Sequence, residues 1–514
     1  MRPPLHPTLD EYRHLANDYN VVTVWCDVVA DLDTPVTAFS KLGDTLPGFL
    51  FESAEQGDHL GRYSFLGVGA RWKLSARGQE VRLENPDGVK SYTSASDPFA
   101  ELEALMSGYR IAPQPGLPVF RGGAVGYLAY DAVRWFEPVI PAPPKDELGV
   151  PDMVFHLADT VVAFDHRRRQ IKVMANAFID ESRVEEAYAE ASQRIDDLIK
   201  KLSAHLSLKP LFPEVVGLPT DVRCNTTKDE YFAMVEAGKE FIRAGDIFQF
   251  VPSQRFETPF AGNAMDLYRS LRVVNPSPYL FCLRVEDGFA LVGSSPEVHV
   301  RVTGRKVEIR PIAGTRKRGD TPDEDAELEA DLLGDPKERA EHLMLVDLAR
   351  NDVGRIATFS SVKVSDFMTV ERYSHVMHIV SHVTGELADG QSAFDVMRAT
   401  FPAGTVSGSP KVRAMQIINS LEKSKRCVYA GAVGYFGFDG NLDSCIALRT
   451  VVLKDGVAYV QSGGGVVADS TPEGEYQESQ NKAMAAMRAI DRARVALAPE
   501  ETALIHGCQP HDII

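Results

Sequence analysis

The sequence predicts an α/β protein of the α+β type with two or more core-forming units. Its 514 residues exceed the size of one ordinary small domain. Strand signals dominate residues 20–175 and return over 247–313. Apolar residues at helical spacing follow at 182–206, and a long helix is expected over about 472–497.

The first portion ends in a hairpin and a helix. The segment DTVVAFDHRRRQIKVMANA predicts two strands joined by a polar turn at 165–170. The helix expected over 182–206 has one apolar stripe, formed by Val184, Tyr188, Ala191, Ile195, Leu198 and Leu202. We therefore assign residues 1–206 to an N-terminal portion.

The predicted linker is 207–226, since it contains several prolines and no apolar period. Thr227 and Glu230 form a capping box that opens a helix ending near Gly245. Strands are expected over 247–313, with a turn at 286–288. We assign 227–500 to a second portion and 501–514 to a C-terminal tail.

One sequence echo joins the two portions. The stretch GAVGYLAYD at 123–131 recurs as GAVGYFGFD at 431–439, and nothing else repeats at that offset. Glycines inside strands mark places where another backbone or a ligand approaches closely. The echo predicts two similar strand environments and is weak evidence of an old duplication.

Composition and charge exclude several classes of protein. The formal net charge of −17 disfavours binding to nucleic acid or to an anionic membrane surface. The six cysteines are scattered, so neither a Cys-rich zinc motif nor a disulfide framework is expected. A polar beginning and the absence of an apolar run of roughly 18 residues predict a soluble, cytoplasmic protein.

Two predicted helices each carry a glutamate pair near the N-terminus. Glu338 and Glu341 follow the predicted cap Asp335, and Glu475 and Glu478 lie in the long helix. Residues three apart share one helix face. Glu338 also fits a capping box with Asp335. Four carboxylates in one cleft would need a cation, and oxygen ligands favour Mg²⁺, whereas a solvated helix face is the alternative.

Three more features suggest a site for an anion. Strand alternation in CIALRTVVL places Arg449 in an apolar row, where a substrate carboxylate or an internal salt bridge must pair it. The glycines Gly463–Gly465 end a strand before the long helix, and their N–H groups suit an anion or a tight turn. His378 is expected to be half-buried, as a core histidine or as a general acid or base.

Six motifs resemble the chorismate-binding family, and within it the large, synthase subunits of anthranilate synthases. They cover most of 226–490 in family order, and GFLFESAE and FRGGAVGYLAYD extend the resemblance into the N-terminal portion. The six are PIAGTRKRGD, DPKERAEHLMLVDLARNDVGR, VMHIVSHVTGEL, TFPAGTVSGSPKVRAM, GAVGYFGFDGNLDSCIALRT and SGGGVVADSTPEGEYQESQNKA. The resemblance implies large, mainly antiparallel sheets flanked by helices, with the active-site cleft in the C-terminal portion.

The resemblance also implies a cofactor and its ligands. Mg²⁺ would be held directly by Glu341 and Glu478, and through water by Glu338 and Glu475. The metal would bind the ring carboxylate of chorismate.

Further roles follow from the same motifs. Substrate contacts are implied for Gly314, Gln249, Tyr429, Arg449, Gly463, Gly464, Gly465 and Lys482. Tyr429 and Arg449 would hold the enolpyruvyl carboxylate. The implied catalytic residues are Thr315, Glu338 and His378, the last as the acid for the departing 4-hydroxyl.

Two positions separate this chain from other family members. Relatives that make aminodeoxychorismate carry a nucleophilic lysine where this chain has Ala313, and relatives that add water use a lysine base where it has Gln249. Direct amination of chorismate at C2 is therefore implied. The product aminodeoxyisochorismate would then lose pyruvate to give anthranilate, the first step of tryptophan biosynthesis.

Several alternatives remain open at this point. The nearest is an enzyme that stops at aminodeoxyisochorismate, followed by aminodeoxychorismate and salicylate synthases. A Mg²⁺-dependent phosphate-ester hydrolase and a non-catalytic regulatory subunit are alternatives of other classes.

The resemblance implies a partner and an inhibitor. The chain has no glutaminase-type cysteine elbow, so a separate glutamine amidotransferase subunit is expected to supply ammonia, in an assembly of two synthase and two glutaminase subunits. Feedback inhibition by tryptophan is implied, with core packing as the alternative role for the matching positions. Those positions are Glu52, Ser53, Pro278, Leu280, Tyr435 and Cys445.

Overall fold

The computed structural model describes residues 3–53, 61–95, 97–143, 145–180, 182–206, 208, 211, 219, 221–372 and 376–497. The predicted C-terminal tail, 501–514, and much of the predicted linker, 207–226, lie outside the described residues. The boundaries of the two portions therefore stay predictions. Among the helices of the described residues, none has the length and apolar character needed to cross a membrane.

Strands make up most of the regular structure. Those of the first portion are β1 (Val21–Val29), β2 (Gly48–Glu52), β3 (Tyr63–Val68), β4 (Lys73–Arg77), β5 (Glu80–Asn85), β6 (Gly88–Thr93), β7 (Gly123–Leu128), β8 (Met153–Ala158), β9 (Thr160–Asp165) and β10 (Gln170–Phe178). Those that follow are β11 (Arg223–Cys224), β12 (Gln249–Phe250), β13 (Ser253–Pro259), β14 (Tyr279–Glu286), β15 (Phe289–Ser295), β16 (Val298–Thr303), β17 (Lys306–Ile309), β18 (Ile312–Lys317), β19 (Lys363–Arg372), β20 (Val376–Glu386), β21 (Gly408–Ser409), β22 (Ala432–Gly437), β23 (Leu442–Ile446), β24 (Thr450–Lys454) and β25 (Val457–Gly463).

Helices lie between and around these strands. They are α1 (Leu9–Ala16), α2 (Pro35–Lys41), α3 (Pro98–Ser107), α4 (Val133–Phe136), α5 (Val184–Leu202), α6 (Lys228–Arg243), α7 (Ala264–Val274), α8 (Pro322–Gly334), α9 (Pro336–Gly354), α10 (Ala393–Thr400), α11 (Lys411–Leu421) and α12 (Pro472–Leu497). Short 3-10 turns occur at Tyr130–Ala132 and Gly404–Val406.

Two large antiparallel sheets form the centre of the molecule. The first has the order β1-β10-β9-β3-β2-β14-β15-β24-β25-β13-β11. The second has the order β18-β20-β17-β16-β23-β22-β7-β8-β4-β5-β6, with β19 paired to β20. The predicted class of large antiparallel sheets flanked by helices is confirmed.

Apolar side chains pack in layers on both faces of the sheets. One cluster joins Phe49 and Phe65 of the first sheet to Val125 and Tyr127 of the second, so it fills the space between the sheets. A second cluster covers the outer face of the first sheet with α1, α2, α5, α7 and α12. A third covers the second sheet with α3, α4, α9 and α10. The result is a four-layer arrangement of helices, sheet, sheet and helices.

Most predicted elements form at the expected places. The hairpin turn at 165–170 joins β9 to β10, α5 buries its predicted stripe, and Thr227 and Glu230 form the capping box of α6. α12 spans 472–497 as expected. The prediction of strands throughout 247–313 is wrong for α7, which Asn263 caps by accepting a hydrogen bond from the N–H of Asp266.

The sequence echo marks the contact between the two portions. β7 and β22, which carry it, pair antiparallel in the second sheet with Gly126 opposite Gly434. In the first sheet the two portions meet in the same way, through the antiparallel pair of β2 and β14 at the centre of the sheet. The orders β1-β10-β9-β3-β2 and β13-β25-β24-β15-β14 then follow one pattern outward from this centre. The two portions therefore repeat one topology, which supports the predicted duplication.

Candidate active site

The helix α9 begins with a capped first turn. Asp335 accepts hydrogen bonds from the N–H groups of Lys337 and Glu338 at 2.9 and 3.3 Å, and Pro336 is the first helical residue. The Glu338 carboxylate contacts Arg316 Nη1 at 3.3 Å. The predicted cap therefore forms, while Glu338 itself turns towards β18.

The helix α12 begins in the same way and carries a lysine one turn beyond its glutamates. Thr471 Oγ1 accepts a hydrogen bond from the N–H of Gly474 at 3.2 Å and is the cap. Glu478 pairs with Lys482 at 2.7 Å, and Lys482 Nζ donates to the carbonyl oxygen of Gly463 at 3.2 Å. Lys482 thus ties the helix to the end of β25.

The glutamates of α12 stand directly against the glycine end of β25. A Cβ on Gly464 would lie 2.6 Å from Glu475 Oε2 and 3.6 Å from Glu478 Oε1. A larger residue at this position would push the Glu475 carboxylate out of its present place.

A glutamine links this glycine end to α9. A Cβ on Gly465 would lie 2.4 Å from Gln249 Nε2, and Gln249 Nε2 donates to Glu341 Oε1 at 3.2 Å. The structure therefore gathers the two glutamate pairs around one strand end. The space that they line is called the carboxylate cleft, and its residues are Glu338, Glu341, Glu475 and Glu478.

Burial and like charge act together in the carboxylate cleft. Burial, reinforced by the negative charges of Glu338 and Glu478, raises the pKa of Glu341. Burial also raises the pKa of Glu475, and Glu478 adds to that effect. Glu475 Oε2 is buried and accepts no hydrogen bond from any described residue. A cation between these carboxylates would relieve both energetic costs.

The carboxylate cleft suits a divalent cation that keeps part of its water shell. Within the described ranges, no group of three or more His, Cys, Asp or Glu side chains converges closely enough to enclose a metal ion. Mg²⁺ does not require such a cage, since it binds through one or two carboxylates and retains several waters. The unpartnered Glu475 oxygen and the opposed pairs therefore fit Mg²⁺, with Glu341 and Glu478 as the expected direct ligands.

Arg449 lies in a turn between the two sheets. β23 ends at Ile446, β24 begins at Thr450, and Arg449 has a φ of +47°, so the predicted continuous strand through CIALRTVVL is wrong. Alternation fails because the chain passes here from the second sheet to the first. Arg449 Nη1 lies 3.4 Å from Asn275 Oδ1, and burial lowers the pKa of Arg449.

The Arg449 guanidinium suits an anionic ligand. In the part of the chain that the structure describes, no carboxylate lies within ion-pair distance of it, so the predicted internal salt bridge does not form there. Tyr429 is buried close to Arg449. Glu297 lies near both side chains, since its charge affects the pKa of Tyr429 and the pKa of Arg449. Burial raises the pKa of Tyr429, so its hydroxyl stays protonated and can donate a hydrogen bond.

Glu297 is a site residue that the sequence reasoning missed. It follows Pro296 at the beginning of β16, where burial raises its pKa despite the positive charges of Lys482 and Arg449. A lone glutamate beside a strand has no characteristic spacing, so the sequence gives no signal for it. Its position becomes informative only once distant segments meet around it.

Thr315 and His378 face each other across the pair β18 and β20. His378 Nδ1 lies 3.1 Å from Thr315 Oγ1 and 2.9 Å from the carbonyl oxygen of Gly314, so Nδ1 carries a proton. Burial lowers the pKa of His378, which favours the neutral ring. A neutral ring with a proton on Nδ1 presents Nε2 as an acceptor. The environment therefore suits a base better than the expected acid.

A separate cavity of about 730 Å³ is lined by residues of both sheets. Arg301 and Asp443 form an ion pair at 3.0 Å in its wall, and the hydroxyl of Tyr279 donates to Asp443 at 2.8 Å. All six positions predicted for tryptophan lie in the lining, namely Glu52, Ser53, Pro278, Leu280, Tyr435 and Cys445. We call it the intersheet cavity.

Comparison with known proteins gives a consistent result. Residues 47–488 match the family described as chorismate binding enzyme. The chain is 47% identical over 493 residues to anthranilate synthase component 1 of Aquifex aeolicus, covering 95% of this chain and 98% of that protein. It is 45% identical over 491 residues to the protein of the same name from Pseudomonas aeruginosa, covering 94% and 98%.

Solved structures share the fold. Anthranilate synthase component I from Streptococcus pneumoniae superposes with a TM-score of 0.74 at 36% identity, covering 90% of this chain and 99% of that one. The menaquinone-specific isochorismate synthase of Escherichia coli gives a TM-score of 0.68 at 20% identity, covering 94% and 98%, and supports the fold alone.

Proposed function

The chain belongs to the chorismate-binding enzyme family, and from that premise we propose that it converts chorismate and ammonia to anthranilate and pyruvate. The observation that carries the proposal is the meeting of the two glutamate pairs at the glycine end of β25, with Lys482 from this end and Arg449 both acting on the buried Glu297. Relatives named anthranilate synthase component 1, which match nearly the whole chain, support the same reaction. In class it is a Mg²⁺-dependent carbon–oxygen lyase.

The carboxylate cleft is the proposed cofactor site. Glu341 and Glu478 would hold Mg²⁺ directly, with Glu338 and Glu475 acting through water. When bound, Mg²⁺ supplies positive charge to the ring carboxylate of chorismate and polarises the conjugated ring. When Mg²⁺ binds, the ion pair between Glu478 and Lys482 would rearrange. The Lys482 ammonium would then lie beside the ring carboxylate of chorismate.

The enolpyruvyl carboxylate is proposed to bind at the Arg449 guanidinium. Arg449 offers N–H donors in a planar fork that matches a carboxylate, and Tyr429 adds its hydroxyl. Burial strengthens both contacts because water competes less for the charges. Each carboxylate of chorismate would thus be fixed by its own positive charge, the ring carboxylate by Mg²⁺ and the enolpyruvyl carboxylate by Arg449.

Direct amination is favoured by the residues that surround the ring position. Ala313 has no amine that could attack the substrate, and Gln249 cannot deprotonate water at neutral pH. Ammonia needs no such base. Its attack at C2 would expel the 4-hydroxyl and give aminodeoxyisochorismate.

Two proton carriers are proposed for these steps. We assign protonation of the departing 4-hydroxyl to Glu297, whose pKa burial raises, and acceptance of the C2 proton to Nε2 of His378, because burial favours the neutral form of that ring. Loss of that proton and of pyruvate makes the ring aromatic. This division replaces the acid role expected for His378.

Regulation, partner and location complete the proposal. The intersheet cavity offers an ion pair and apolar walls, which suits the charged and aromatic parts of tryptophan. A glutaminase subunit would supply ammonia, in the proposed assembly of two subunits of each kind, and the relatives' name "component 1" supports a second component. A cytoplasmic location agrees with the free cysteines among the described residues.

One assay tests the reaction. The purified chain is mixed with chorismate, Mg²⁺ and an ammonium salt, and anthranilate is followed by its fluorescence, with pyruvate measured separately. We expect both products with ammonium and neither with glutamine alone. Accumulation of aminodeoxyisochorismate without pyruvate would assign an enzyme that stops at that compound. No consumption of chorismate would refute the proposed function.

A further inference from the structure

Arg426 lies buried beneath the proposed substrate site, with its side chain only 2% exposed. Its Nη1 donates to the carbonyl oxygen of Val406 at 2.9 Å, and its Nη2 donates to that of Val251 at 2.5 Å. The guanidinium carbon lies 4.6 Å from the ring centre of Tyr130 and 5.6 Å from that of Tyr429. One side chain therefore touches four segments of the fold.

Three of these contacts lead directly to residues of the active site. Val251 lies two residues after Gln249. Val406 lies in the 3-10 turn Gly404–Val406, and residues of this turn line a small cavity together with Glu297. Tyr429 itself is the proposed partner of the enolpyruvyl carboxylate. Displacement of Arg426 would therefore disturb the floor of the site at Tyr429 and at the segments of Gln249 and Thr405.

Glu422, which directly follows α11 and lies four residues before Arg426, holds Arg426 in this position. Its two oxygens accept hydrogen bonds from Arg426 Nε at 2.8 Å and Nη2 at 2.6 Å. Glu422 Oε1 also accepts from the N–H and the hydroxyl of Ser253, both at 2.8 Å. Ser253 Oγ in turn accepts from Gln461 Nε2 at 2.8 Å, so the network reaches β25 two residues before Gly463.

Only an arginine can make this set of contacts. Its planar fork pairs two carboxylate oxygens while two further N–H groups reach carbonyls and both faces remain available to aromatic rings. A lysine would keep the charge but has a single compact ammonium group. Burial disfavours the charge, yet Glu422 and the two rings keep the pKa of Arg426 raised.

We propose that Arg426 and Glu422 form a positioning pair that fixes Tyr429 and the segments of Gln249 and Thr405 for binding of the enolpyruvyl carboxylate. This proposal rests on the proposed function, since it acts through the assigned role of Tyr429. Neither residue of the pair touches the substrate. Their effect is on affinity for chorismate rather than on the chemical step.

The test compares four forms of the chain at saturating Mg²⁺ and ammonium: wild type, Arg426→Lys, Tyr429→Phe and the double variant. We expect Arg426→Lys to raise KM for chorismate about tenfold, with kcat changed less than about twofold. The double variant should show a KM close to that of the worse single variant, because both changes remove one contact.

Glu422→Asp provides a second variant in case Arg426→Lys folds poorly. It keeps the negative charge beside Arg426 but shortens the side chain, and it is expected to raise KM about threefold. Lys172→Arg is the matched control: this buried lysine pairs with Asp27 at 2.7 Å beneath the Trp25 ring, remote from the site, and its KM should equal that of wild type.

The possible failures are distinguishable. A KM unchanged in Tyr429→Phe would refute the assigned role of Tyr429, and this proposal with it. A raised KM in Tyr429→Phe beside an unchanged KM in Arg426→Lys would overturn the positioning pair alone. Effects on KM that multiply in the double variant would show that Arg426 does not act through Tyr429.

Discussion

At the scale of single residues, the carboxylate cleft is a place where the fold accepts an electrostatic cost. Glu341 is half-buried and Glu475 is buried, both beside other carboxylates, and each has a raised pKa. Stability alone would favour neutral side chains at such positions. We expect a bound cation to recover this cost, which would make these glutamates functional rather than structural.

Glu341→Gln and Glu478→Gln should each lower Mg²⁺-dependent turnover at least about 100-fold, because each removes a proposed direct ligand. The melting temperature without Mg²⁺ should stay the same or rise, since like-charge repulsion is relieved. Turnover at graded Mg²⁺ concentrations and thermal unfolding measure the two effects. Glu473→Gln on α12, at an exposed position, is the control. Full activity of both variants would remove the metal assignment.

His156 gives a prediction about pH at the same scale. Burial against Phe49 lowers its pKa to about 3, so the folded protein keeps it neutral while the unfolded chain takes up a proton near pH 6.5. Its contribution to stability is therefore lost as pH falls below about 6.5. Between pH 6.5 and pH 5 it should cost about 2 kcal/mol in the free energy of unfolding.

Urea denaturation at these two pH values measures the effect in wild type and in His156→Leu, where the slope with pH should be smaller. The exposed His14, changed to Gln, serves as the control and should leave the slope unaltered. An identical slope in His156→Leu would contradict the assignment of this histidine as a buried neutral group.

At the scale of elements, the strands β7 and β22 depend on glycine for their close approach to neighbours. A Cβ on Gly434 would lie 2.1 Å from the carbonyl oxygen of Asp443, and one on Gly126 would lie 1.9 Å from that of Val154. Both distances are shorter than any side chain can tolerate against a backbone. The echo in the sequence is thus a record of crowding at the centre of the second sheet.

Gly434→Ala should therefore destabilise the protein by more than about 3 kcal/mol, because β22 or β23 must move. The melting temperature measures this loss. Gly334→Ala is the control: nothing lies within 4 Å of a Cβ there, so the melting temperature should not fall. Equal melting temperatures for the two variants would show that β22 and β23 separate without cost.

Local sequence patterns predicted helices and caps well where the structure depends on residues close together in the sequence. The stripe of α5 and the caps of α6 and α9 depend on neighbours within a few residues, and each forms as expected. Arg449 was misplaced because its backbone follows a passage between sheets, which alternation cannot reveal. Glu297 was missed because its neighbours Thr405, Arg449 and Lys482 are more than a hundred residues away, and Arg426 because its network depends on the distant Val251 and Tyr130 as well as on nearby residues.

At the scale of the whole molecule, the two portions share both sheets, and the intersheet cavity lies where they meet. Its wall contains Glu52 and Ser53 from the first portion, and Pro278 and Cys445 from the second. Pro296 and Val298 also line it, while Glu297 between them lies near Arg449. A ligand in the cavity would therefore press on the segment that carries Glu297, the proposed acid.

Ser53→Phe should abolish inhibition by tryptophan, because the larger side chain occupies part of the intersheet cavity. The KM for chorismate should stay within about twofold of wild type, since the carboxylate cleft is unaltered. Inhibition curves and calorimetric titration with tryptophan measure both. Ser203→Phe, at an exposed position after α5, is the control. Inhibition that survives Ser53→Phe unchanged would count against the site.

The pairing of β7 with β22 has a consequence for synthesis on the ribosome. β7 is complete at Leu128, but its partner begins at Ala432, and β2 likewise waits for β14. At about 5–20 residues per second, roughly 15–60 seconds separate the emergence of β7 and β22. The nascent chain therefore exposes the unpaired edge of β2 until β14 emerges, and the unpaired edge of β7 until β22 emerges. Slow translation should therefore increase aggregation of this protein and its dependence on chaperones.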